Sequence, residues 1–182
     1  MAATRKIIRG LKRLRFTIAE LAADLKIPEY RTYLGDGILQ IGTVAIDAVP
    51  EKFKTTTVLY WRRNGIQFTK AATTALVFAS AYTINTAAAA GIKWGAFLLQ
   101  ISDTGTVTSK AVAANQSYAS EALAIAALPA ADAGNKAFAY ITVAATTGAD
   151  WVAITDDMTD GSDCTEANFY DLPVVAFPAA VV

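Results

Sequence analysis

Over the first 34 residues, apolar side chains at Ile7, Ile8, Leu11, Leu14, Ile18, Leu21 and Leu25 recur mostly three or four positions apart. That is the period of a helix with a single apolar stripe. Thr17 followed by Glu20 fits a capping box, in which the hydroxyl accepts from the third helical amide and the carboxylate accepts from the cap amide. The pattern predicts a helix from about Ile18 to Lys26. Pro28 disfavours helical geometry at Ile27, and Gly35-Asp36-Gly37 ends any continuation.

From about Ile38 the period shortens, and Thr, Val, Ile and aromatic residues replace the Leu, Lys and Arg mixture. Strands are expected from there on. Thr55 to Trp61 and Ile66 to Lys70 flank Asn64-Gly65, a pair suited to a type I′ hairpin turn. Ile92 to Ser102 and Thr106 to Ala111 flank Asp103-Thr104-Gly105, a second hairpin with Gly for the left-handed position. Ala137 to Ala145 reads as a third strand group, and Trp151 to Thr155 follows a turn built around Gly148. Tyr118 to Leu128 predicts a short helix ended by Pro129. Pro173 and Pro178 in the apolar tail suggest an extended edge strand or arm.

The fold class expected is mainly β: an antiparallel sandwich or jelly-roll-like domain preceded by an N-terminal amphipathic helical segment. The expected division is a basic helical anchor at 1–34, a linker and first strand at 35–54, a β domain at 55–170 with a helix near 118–128, and an extended arm at 171–182. At 182 residues the chain is long enough to bury a core without disulfide or metal staples. Ala, in runs such as Ala87 to Ala90, inflates the apolar fraction of 54%, and no uncharged apolar run is long enough to span a membrane. Neither a membrane partner nor a signal peptide is expected, so synthesis in a cytoplasm follows.

Charge changes the picture more than hydropathy does. The net charge is zero, yet residues 1–15 carry six bases and no acid, whereas 144–182 carry seven acids and no base. Such ends attract each other, within a chain or between copies, over a Debye length of about 8 Å. With no His and one Cys, Ser-His-Asp and Cys-His machinery cannot be built from this chain, and zinc chemistry lacks its usual ligands. Paired carboxylates are the one acid-base option left, and nearly all clustered acids fall in one loop-like stretch. No enzyme activity and no cofactor are expected.

Three motifs invite a site. Thr17 to Pro28 looks like the first half of a helix-turn-helix, but Lys26 stands where the turn wants Gly and a second helix would meet Gly35 after six residues. A packing helix with a basic solvent face is the simpler reading. Asp156, Asp160 and Asp163, with Gly161, approach a calcium loop, yet Met158 and Ala167 fall where an EF-hand needs oxygen ligands. A solvated loop is expected and no metal. Trp61-Arg62-Arg63 could stack on a base or sugar; beside a hairpin turn, an inward Trp61 with solubilising arginines is simpler.

The basic leader, the Ala-, Thr- and Gly-rich strand region, Asn64-Gly65-Ile66-Gln67-Phe68-Thr69, Ile101-Ser102-Asp103-Thr104-Gly105-Thr106-Val107, Ser120-Glu121-Ala122-Leu123 and Gly161-Ser162-Asp163 together resemble virion structural proteins of tailed bacteriophages, of capsid-decoration, head-fibre or tail-associated type. The resemblance implies a homo-oligomer, a trimer favoured, located in the virion and attached to another capsid or tail protein. The leader then serves as anchor: Ile7, Ile8, Leu11 and Leu14 lie on a partner while Arg5, Lys6, Arg9, Lys12, Arg13 and Arg15 meet acidic surface. Two alternatives are nucleic-acid binding through the basic N-terminus, and a host-receptor or glycan-binding module using Trp94, Trp151 and Tyr170, although a place in the core is the simpler reading of each aromatic.

Overall fold

Strands begin where the β-branched and aromatic residues take over. In the computed structural model, residues 36–64, 66–85, 91–113 and 117–173 are described. They hold twelve strands: Gly37–Gln40 (β1), Val44–Ile46 (β2), Phe53–Thr55 (β3), Leu59–Arg63 (β4), Ile66–Lys70 (β5), Thr73–Leu76 (β6), Thr83–Ile84 (β7), Lys93–Ile101 (β8), Val107–Ala111 (β9), Lys136–Ala145 (β10), Trp151–Val152 (β11) and Cys164–Asp171 (β12). One helix, Glu121–Ala126 (α1), interrupts them. The predicted N-terminal helices and most of the predicted C-terminal arm lie outside the described residues.

All pairings are antiparallel. The largest sheet has the order β12-β10-β8-β9; three smaller ones are β1-β4-β5, β2-β3-β6 and β11-β7. Both predicted hairpins form. β4 and β5 pair from Arg63↔Ile66 outward, with Asn64 in the left-handed region at φ 50°. β8 and β9 close at Ile101↔Val107, with Gly105 at φ +79°. The short helix also forms, because the Ser120 hydroxyl accepts from the Leu123 amide at its start.

The expected boundaries shift in several places, among them the strand expected over Trp151 to Thr155, which ends at Val152 where the chain turns. β1, β2 and β3 already occupy the stretch read as linker and first strand, and they pair with β4 and β6 of the β domain. The strand read over Thr55 to Trp61 divides, since Thr55 closes β3 and Leu59 opens β4. Asp171, read as the start of an arm, ends β12; its carboxylate accepts from the Val44 amide of β2 at 3.1 Å.

The four-stranded sheet organises the core because its two faces differ. Phe97, Ile141 and Phe169 lie in one cross-strand row, and Gly95, Val143 and Ala167 in the next. This face meets an aromatic cluster: Phe97 lies 4.5 Å from Phe78, 5.3 Å from Tyr82 and 5.9 Å from Trp151, ring centre to ring centre. Gly95 is required here, because a Cβ would come within 2.9 Å of the Ile84 side chain. Each fully buried large side chain contributes roughly 1.5–3 kcal/mol, so this face dominates the stability.

The opposite face carries Tyr140, Thr142 and Ala144 of β10 beside Tyr170, Asn168 and Glu166 of β12. The α1 helix and the loop after it are held to this face by polar contacts. Gln100, buried in β8, donates to Asp132 Oδ2 and accepts from the Asp132 amide, while Lys110 pairs with Asp132 Oδ1 at 2.6 Å. Arg63 ties the β4–β5 hairpin to Asp103 and to the Gly134 carbonyl.

Candidate functional site

The sequence-predicted site residues end in different places. Ile7, Ile8, Leu11, Leu14, Arg5, Lys6, Arg9, Lys12, Arg13 and Arg15 lie outside the described residues. Trp61 does point inward: it is 1% exposed and stacks on Phe68 at 5.5 Å. Arg63 is engaged in the contacts just described. Of the three aromatics offered for a glycan, Trp151 is fully buried, so it presents no surface. Trp94 packs half-buried against the core and pairs through its backbone with Tyr118. Tyr170 stacks on Tyr140 at 4.8 Å.

The acidic loop spends its carboxylates on its own backbone. Asp156 accepts from the Val152 amide, and Asp157 accepts from the amide and hydroxyl of Thr159. Asp160 accepts from the Ser162 hydroxyl and amide and from the Asp163 amide, contacts that hold its carboxyl below its ordinary pKa. Among the described residues, no three acidic, His or Cys side chains come together as a metal-binding group. The loop leads into Cys164, which is 2% exposed and donates to the Met158 carbonyl. Burial pushes its thiol up to about 11. Native protein at pH 8 is therefore expected to react with a thiol reagent at least tenfold more slowly than protein in denaturant, because both access and thiolate are suppressed. Equal rates would place Cys164 at the surface.

Two features emerge only from the tertiary arrangement. The first is a carboxylate junction. Glu121 opens α1, and its Oε1 accepts from Thr142 at 2.6 Å, Tyr170 at 2.9 Å and Asn168 at 3.2 Å. Burial raises this carboxyl, but the three donors outweigh it and the net shift is downward. One side chain thus joins the helix to two strands. Nothing in the local sequence links position 121 to 142, 168 and 170.

The second feature is an open strand edge. β5 and β6 each end a sheet, and among the described residues neither pairs its outer side. From Ile66 to Val77 no residue is buried, and the stretch contains one charge, Lys70, and no proline. Natural edges are normally blunted by charge, proline or a bulge. β6 has such an irregularity, with Ala75 at φ 55° and its amide held by Asp47. β5 has none: five consecutive pairs with β4 run in unbroken register. Ile66, on this edge, is 60% exposed. The alternation of Ile66 to Lys70 marked a strand in the sequence, but its edge position follows from the sheet order.

The arrangement defines a mainly β, antiparallel protein in which, among the described residues, β5 presents a regular, unpaired strand edge with one charge. No protein-family model, curated protein or solved structure matches the chain. Among the described residues, no helix is long and apolar enough to cross a membrane.

Proposed function

We propose that this chain is a non-enzymatic structural protein of a phage virion, assembling through its β region as a homo-oligomer on the capsid or tail and attached there by its basic N-terminal segment. The observation that carries the reading is the open edge of β5, Ile66–Lys70, which pairs in unbroken register with β4 on one side and bears a single charge. An edge of this kind is a template for another strand. The polarised charge supports attachment: six bases and no acid in 1–15 suit an acidic partner surface. An antiparallel sandwich of jelly-roll-like kind accommodates the non-sequential strand orders, with the aromatic face of the four-stranded sheet turned inward.

The first test is solution mass by light scattering, for the intact chain and for a chain lacking residues 1–34. A stable oligomer, a dimer or larger, is expected from both, with binding to purified particles lost only in the shortened chain. A monomer at all concentrations overturns the assembly reading. The same six bases support nucleic-acid binding as a second reading, which predicts duplex-DNA affinity falling steeply with salt.

A further inference from the structure

We infer that β5 pairs with β5 of a second copy across a two-fold axis centred on Phe68; this rests on the assembly reading and specifies its contact. In a two-residue hairpin the closing pair, Arg63 and Ile66, exchanges hydrogen bonds, and hydrogen-bonded pairs alternate from there. Ile66, Phe68 and Lys70 therefore direct their amides and carbonyls toward β4. Gln67 and Thr69 direct theirs outward, and both are exposed. Those outward groups admit one symmetric antiparallel register that uses all of them: Gln67 opposite Thr69 of the second copy, twice, with Phe68 facing Phe68 between.

The side chains agree with that register. Phe68 is half-buried and stacks on Trp61, so facing Phe68 residues extend one aromatic row, Trp61-Phe68-Phe68-Trp61, across the contact. The exposed Ile66 comes opposite Lys70 of the second copy, whose aliphatic stem covers it. The edge's one charge then faces an apolar residue and not its own copy. A two-fold contact of this kind joins chains in pairs, or joins neighbouring trimers.

Two measurements on the full chain test it. The variant Q67K/T69K puts lysine opposite lysine, whereas Q67K/T69E puts opposite charges together at the same positions. Sedimentation is expected to show the pairing weakened about tenfold in the first and retained in the second, with both melting as the parent does. Next, Q67C and T69C chains are mixed and oxidised. In the proposed register these two positions lie about 5.5 Å apart between Cα atoms, within disulfide reach, whereas Gln67 lies beyond about 7 Å from Gln67. A disulfide in the mixture and in neither variant alone is expected. An oligomer that both lysine-bearing variants retain equally, or a disulfide in Q67C alone, overturns this contact and leaves the assembly reading standing. A parent that is monomeric throughout removes both.

Discussion

Replacing Trp151 with alanine is expected to lower the free energy of unfolding by about 3–5 kcal/mol. The ring is fully buried, lies 5.8 Å from Phe78 and 5.9 Å from Phe97, and donates from Nε1 to the Asp157 carbonyl at 3.2 Å. Truncation empties the centre of the aromatic cluster and removes one of the contacts that tie the acidic loop to the core, beside the buried Met158. Since a domain's whole stability is about 5–15 kcal/mol, this one change consumes a large share of it. Trp94, only half-buried, serves as control: its alanine variant is expected to lose less than half as much. Urea unfolding at constant m-value measures both, and equal losses would remove Trp151 from its central place.

The second large effect is expected at Glu121. Alanine there leaves the Thr142 hydroxyl, which is fully buried, without its acceptor, and frees Tyr170 and Asn168 from α1. The loss expected is about 1–3 kcal/mol, the cost of an unsatisfied buried group. Glutamine keeps one oxygen acceptor and should lose less, but it changes the pH response. Because the native carboxyl is held below its ordinary value of 4.5, its contribution is complete above that value and disappears as pH falls through the native one. The parent is therefore expected to lose stability on acidification below about pH 5 more steeply than Glu121→Gln. Asp47, Asp132 and Asp160 are also held low and act in both proteins, so the difference between the two isolates Glu121. Parallel curves in acid would show that the junction does not depend on the charge.

Much of the fold was legible in local pattern. Asn64-Gly65 and Asp103-Thr104-Gly105 marked hairpins because their backbone geometry constrains which residues are acceptable. Pro129 marked the end of the helical stretch read from Tyr118, while the start of α1 at Glu121 is set by the Ser120 cap. β12 carries no strand signal in the sequence, because Cys164-Thr165-Glu166-Ala167-Asn168 has no clear alternation of apolar and polar residues. β2, β3, β6 and β7 are too short, at two to four residues, for a period to declare itself.

By itself, the sequence determined the strand-rich class, two hairpins, the short helix, the inward Trp61, and the exclusion of histidine-dependent chemistry. These depend on backbone propensities, turn residues and composition, which act within a few positions of each other. Only the tertiary structure decided that Glu121 meets Thr142, Asn168 and Tyr170, that Trp151 packs against Phe78 and Phe97, and that β5 is an edge. Those facts depend on which strands become neighbours across gaps of 20 to nearly 130 residues, as in Val44 with Asp171. Neighbours of that kind are selected by burying apolar surface in three dimensions, and a one-dimensional pattern does not encode the choice.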